Sequence, residues 1–98
     1  MRTFKPNEFK KAIKKEFGSV AKLKSYLRTE AEDLGWDCRL AEVVIDGVKV
    51  KYTSNPNHFA RYFVELPHVG FTSTTALDRS SYTAAGKRRH VGSLRTVL

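Results

Sequence analysis

Four ammonium groups fall within six positions of this chain, at Lys10, Lys11, Lys14 and Lys15 of the stretch NEFKKAIKKEFGSV. Groups this close repel one another by roughly a few tenths of a kcal/mol per pair at moderate salt. Packing does not call for them, because Phe9, Ile13 and Phe17 already supply an apolar stripe. The chemistry they offer is anion recognition: each ammonium that neutralises a phosphate releases a condensed counterion and makes binding salt-dependent. Lys22, Lys24 and Arg28 extend this supply along the chain, as do Arg2 and Lys5. A second cluster, Lys87, Arg88 and Arg89, follows Gly86 and reads as part of a turn. Guanidinium groups there suit phosphates or a groove. Tyr52 and Tyr82 are stacking candidates for unpaired bases. The plainer alternative is a charged face that only keeps a surface helix solvated.

The distribution of charge weighs against that alternative. The net charge is +8, from 18 basic and 10 acidic residues. Residues 1–34 hold nine basic and five acidic groups, residues 35–66 four of each, and residues 67–98 five and one. Both ends are basic around a neutral centre, which points to an acidic partner: nucleic acid, an anionic membrane face or an acidic protein surface.

Other chemistry has little support. His58, His68 and His90 are far apart, none is spaced i, i+4 with another, and Cys38 is the sole cysteine, so no metal-ligand pattern forms. A single cysteine also excludes an intrachain disulfide. Cys38 lies between Asp37 and Arg39 and reads as a half-buried structural residue. Gly70 and Gly86 stand alone, so there is no glycine-rich phosphate loop. No cofactor and no catalytic set is expected. The segment GFTSTTALD resembles the aromatic-Ser-Thr-Ser element of ADP-ribosyltransferases, with Arg61 upstream. The acidic loop that element requires has no counterpart after Asp78, and a Ser/Thr-rich β segment accounts for the stretch. The segment AIKKEFGSVAKLKSYL resembles the opening of Cro-like helix-turn-helix repressors, which would imply a recognition helix next. The sequence instead keeps one helical face to Leu34 and then turns to strands, so the likeness stops before any base-reading element.

The elements that must carry these groups are partly legible. Residues 7–17 predict a helix with Asn7 as N-cap, the lysines opposite Phe9, Ala12, Ile13, Glu16 and Phe17, and Gly18 as terminator. Ser19 caps a second helix over 20–34, with Val20, Leu23, Leu27, Ala31 and Leu34 on one face. Asp46-Gly47 predicts a type I′ hairpin turn. That turn pairs Ile45 with Val48, Val43 with Val50, Ala41 with Tyr52, Glu42 with Lys51 and Val44 with Lys49. His58–Leu66 reads as a third strand, central and covered on both faces because Phe59 and Phe63 break its alternation. Phe71–Thr75 is a candidate fourth strand. From residue 77 the chain reads as a basic segment, an edge strand or a flexible tail.

The expected architecture is α+β: an N-terminal helical pair packed on a small antiparallel sheet of three to four strands. A compact domain over 1–76 would be followed by the basic segment 77–98. Trp36 is expected to seal the helix–sheet joint. The expected function is non-catalytic binding of nucleic acid, DNA or RNA, mainly through backbone phosphates, in an accessory or regulatory protein of viral or mobile-element type. The alternative is a small regulator or inhibitor that docks on an acidic protein. The apolar runs are too short for a membrane span and the N-terminus lacks a secretory pattern, so a cytoplasmic location without membrane contact is expected.

Overall fold

The computed structural model describes residues 2–34, 40–57, 60–67, 71–72, 79–82 and 88–98. Two helices, α1 (Pro6–Phe17) and α2 (Val20–Leu34), pack on an antiparallel sheet, the α+β arrangement expected from the sequence. The first helix begins one residue before its expected cap. Lys5 occupies the N-cap with extended backbone and no side-chain cap bond, and the helix opens on Pro6. Proline suits that position because its φ is preset and its missing N–H would have had no intrahelical partner. Phe9 N–H donates to Lys5 O at 3.0 Å. Gly18 ends the helix at φ 92°, with its N–H donating to Lys14 O at 2.9 Å. Ser19 caps α2 as expected, its Oγ accepting from Lys22 N–H at 3.2 Å.

The hairpin follows its turn. Strands β2 (Leu40–Ile45) and β3 (Val48–Thr53) pair in the expected register throughout, from Ile45 opposite Val48 to Ala41 opposite Tyr52. Asp46 and Gly47 hold φ values of 51° and 76°, the positive pair that a type I′ turn needs. The N-terminal strand β1 (Arg2–Thr3) reaches back to this turn. Arg2 binds the Asp46 carboxylate at 2.7 Å, and its guanidinium covers the Phe71 ring at 4.7 Å. This contact accounts for a departure from expectation. Phe71–Thr72 (β5) does not extend the main sheet but pairs in parallel with β1.

The main sheet has five strands in the order β2-β3-β4-β7-β6, where β4 is Tyr62–Pro67, β6 is Arg79–Tyr82 and β7 is Arg88–Ser93. Strand β4 starts later than residue 58 but is central, and Phe63 and Glu65 are buried along with Val64 and Leu66. The sheet exceeds the expected three or four strands because the C-terminal segment adds a hairpin. Strand β7 runs inside the sheet between β4 and β6 rather than along its edge. A short helix, α3 (Leu94–Val97), follows it, capped by Ser93 Oγ accepting from Thr96 N–H at 3.1 Å.

The core lies between the helices and one face of the sheet. It joins Phe9 and Ile13 of α1, Leu23, Leu27 and Ala31 of α2, and Ile45, Val48, Val50, Val64 and Leu66 of the strands, with Leu94 and Val97 closing it from α3. Val43 is only partly buried beside this cluster. Phe17 packs on Tyr26 at 5.3 Å, which ties α1 to one flank of α2. The opposite face of the sheet carries Lys51 bridged to Glu65 at 3.2 Å and to Glu42 at 3.7 Å, extending the cross-strand pair expected from the hairpin. No helix among the described residues is long and apolar enough to cross a membrane. Trp36, Cys38, His58, Phe59 and His68 lie outside the described residues.

Two substitutions test this packing. Leu94→Ala should lower unfolding free energy by about 2–4 kcal/mol, as should Leu27→Ala. Both would be measured by urea denaturation, and an unmoved midpoint for Leu94→Ala would remove the C-terminal helix from the core. Gly47→Ala would place a Cβ 3.0 Å from the Phe71 ring and 3.1 Å from the Arg2 guanidinium at a left-handed φ. A loss of about 1–3 kcal/mol is expected, and wild-type stability would refute the turn geometry.

Candidate nucleic-acid interface

Helix α1 separates its side chains as a 3.6-residue period demands. Phe9 and Ile13 are fully buried, whereas Lys10, Lys11, Lys14 and Lys15 are all exposed. Lys14 and Lys15 occupy the last turn, where a cation is favoured by the helix dipole. That local reason does not extend to Lys10 and Lys11. None of the four forms an ion pair with a described carboxylate; the cations that do are Arg2, Lys5 and Lys51.

Helix α2 divides the remaining cations of the N-terminal half. Lys22 and Lys24 lie about 160° apart around a helix that turns 100° per residue. Lys22 is exposed on the side of Gly18 and α1, about 3.5 Å from the space a Gly18 side chain would fill. Lys24 is half-buried on the other flank, with Nζ 5.3 Å from the centre of the Tyr62 ring. Arg28 lies one turn further along that flank, exposed and close enough to Tyr62 to act on its phenol. The sequence grouping of Lys22 with Lys24 and Arg28 therefore splits into two surfaces.

The second of these surfaces is concave. A cleft of about 340 Å³ opens between α2, the start of β4 and the β7–α3 junction. Lys24, Arg61 and Arg95 bring three cations to its wall, Tyr62 and Ser93 add hydroxyls, and no described carboxylate lines it. The Tyr62 hydroxyl donates to the Lys24 carbonyl at 3.4 Å, and its ring packs at 5.0 Å against the ring of Tyr52. Burial holds the Tyr62 phenol above its ordinary value of 10.0. The Arg28 charge opposes that rise, the neighbouring Tyr52 adds to it, and the Arg61 charge opposes it further. Tyr62 is thus a neutral donor at physiological pH.

The chain matches no family model, no curated protein and no solved structure.

In the sequence Arg61 stands out only as the arginine upstream of GFTSTTALD, and neither Tyr62 nor Arg95 is a candidate binding residue. The i, i+4 spacing of Lys24 and Arg28 marks their shared flank, but nothing local shows that Arg95 comes round to meet them. Tyr52, a stacking candidate in the sequence, is buried against Tyr62 and the core. Arg88 and Arg89 open strand β7, their backbones opposite Tyr82 and Ser81 of β6, rather than sitting in a turn. Lys87 lies outside the described residues, as does most of the GFTSTTALD segment. His90 is half-buried within β7 opposite Leu66. Among the described residues no cluster of three or more His, Cys, Asp or Glu is placed to hold a metal.

The Tyr62 environment gives a pH test. The folded phenol holds its proton more tightly than the unfolded one, so its contribution to stability is complete below 10.0 and is lost as pH rises through the folded value. Tyr62→Phe should cost less than about 1 kcal/mol at neutral pH, since the hydroxyl bond is long. It should also flatten the alkaline fall in stability, followed by urea unfolding from about pH 8 to about pH 11. Parallel curves for the two proteins would rule out a buried, proton-retaining phenol.

Proposed function

We propose that this protein is a non-catalytic nucleic-acid-binding protein of accessory or regulatory type that engages backbone phosphates. The observation carrying this reading is the outer face of α1. It presents Lys10, Lys11, Lys14 and Lys15 to solvent, and none of them is ion-paired with a described carboxylate. A face that served only solubility would gain from interspersed acidic partners, because mixed signs relieve repulsion. Here the repulsion is left standing, and a polyanion would relieve it.

The convex shape of a helix face suits contact with a continuous phosphate backbone, and lysine ammonium groups supply charge without a fixed directional fork. Such contacts position a strand and carry no sequence information. The reading is therefore one of weak sequence preference and strong salt dependence. An acidic protein surface is the competing partner, since it too would be drawn to the same cations.

Fluorescence anisotropy with a labelled duplex and a labelled single strand, across a salt series, tests the proposal. Binding should weaken steeply with salt. Replacing Lys10, Lys11, Lys14 and Lys15 together by Ala should abolish most affinity at low salt and lower the log–log salt slope by about 3–4, close to one unit per lost phosphate contact. The helix should stay folded, because all four side chains are exposed and alanine favours helix. Salt-insensitive binding, or none, would defeat the nucleic-acid reading. A stoichiometric partner retained from lysate after nuclease treatment would turn the assignment toward an acidic protein.

A further inference from the structure

The lysine face is convex, but the cleft on the other flank of α2 is not, and its groups differ in kind. Two arginines and a lysine, Arg61, Arg95 and Lys24, line a hollow of about 340 Å³ from three different parts of the chain. That volume lies at the low end of the roughly 300–1,000 Å³ typical of small-ligand sites, which suits one nucleotide and is tight for a larger cofactor. Arg28 reinforces the positive field from the next turn of α2. Tyr62 and Ser93 also line it, with their hydroxyls bonded to the Lys24 carbonyl and the Thr96 amide, and no described acidic side chain lines the hollow. Guanidinium forks recognise phosphate oxygens in pairs, which a lysine cannot do.

We infer that this cleft binds a terminal phosphomonoester of a nucleotide, either at the phosphorylated end of a strand or on a free mononucleotide. The inference deepens the nucleic-acid reading and rests on it only for the strand-end case. Charge and shape both select the monoester. A monoester carries about −1.5 to −2 charge at neutral pH and three terminal oxygens, which suits a hollow lined by three cations. An internal phosphodiester carries a single charge, and its chain must leave the site in two directions. A hollow closed on one side by α2 and on another by α3 accepts an end more readily than a continuous backbone. The Lys24 ammonium lies 5.3 Å from the centre of the Tyr62 ring, and both residues line the cleft. Arg61 and Arg95 are exposed and free to swing onto the phosphate.

The test uses the full chain and single strands of one sequence that carry a phosphate at the 5′ end, at the 3′ end or at neither, together with a free nucleoside 5′-monophosphate. One of the phosphorylated strands should bind about tenfold more tightly than the unphosphorylated strand, from the added charge-assisted bonds. The double variant Arg61→Gln/Arg95→Gln should erase that preference while keeping the wild-type melting temperature and the residual, salt-dependent binding of the unphosphorylated strand. Lys24→Met is a second variant that removes the charge but keeps much of the stem, and it should reduce the preference. Binding of the mononucleotide without any strand binding would support the cleft and refute the backbone reading of α1. Equal affinity for all strands with no mononucleotide binding would overturn the cleft assignment while leaving the α1 reading intact. A preference that survives the double arginine variant would overturn it as well.

Discussion

The turn at Asp46-Gly47 constrains the rest of the molecule. A two-residue turn with both φ values positive permits one pairing of the strands that flank it. Because side chains alternate with a period of two, that pairing decides which residues enter the core. With Ile45 opposite Val48 and Val43 opposite Val50, the apolar set lies under the helices and Glu42, Lys49 and Lys51 fall on the far side. A slip of one residue would put lysines beneath α2. The turn is also held from outside. Arg2 pairs with Asp46 and covers Phe71, and Gly47 is hemmed in by both, so the N-terminal strand and β5 are fixed to the hairpin tip.

The same parity passes across the sheet. Strand β3 pairs with β4 so that Tyr52 lies opposite Tyr62 and Val50 opposite Val64. Tyr62 therefore emerges on the helix side, under Lys24. On the far face, the parity brings Glu65 within reach of Lys51, which already meets Glu42 across the hairpin. Surface pairs of this kind contribute little individually, but Lys51 and Glu65 are largely shielded from water. Their pairing matters mainly because separating them would leave a charge with poor solvation. The acidic groups that pair with cations thus do so around the hairpin and the N-terminus, and they leave the outer lysines of the helices unneutralised.

What could be read from the sequence follows from how local each signal is. The lysine face of α1, the Ser19 cap, the Gly18 terminator and the hairpin register all depend on residues within a few positions of one another, and each is where its spacing puts it. The start of α1 was displaced because Pro6 is a stronger first-turn residue than Asn7 is a cap. The strands beyond residue 70 were obscure for a different reason. Their partners are remote, β5 on β1 and β7 on β4, and a segment such as RRHVGS has no clean alternation to announce an interior strand. The cleft inherits this obscurity. Lys24, Arg61 and Arg95 meet only because β4 pairs with β7 and α3 folds back, so spacing along the chain could not reveal them.

Helix α2 gives these surfaces a common polarity. Its N-terminal part carries Lys22, Lys24 and Arg28, and its C-terminal part carries the exposed acids Glu30, Glu32 and Asp33. The helix dipole adds to this gradient, positive at the start and negative at the end. Negative side chains at a helix C-terminus are locally unfavourable, so the arrangement does not serve the stability of α2. It does set a direction for an approaching anion. On the proposed reading a polyanion would be drawn to the basic stretch of α2, one flank of which faces Gly18 and α1 and the other the cleft. On that same reading a strand end, rather than its middle, would suit a hollow lined by Lys24 and Arg61 from separate parts of the chain.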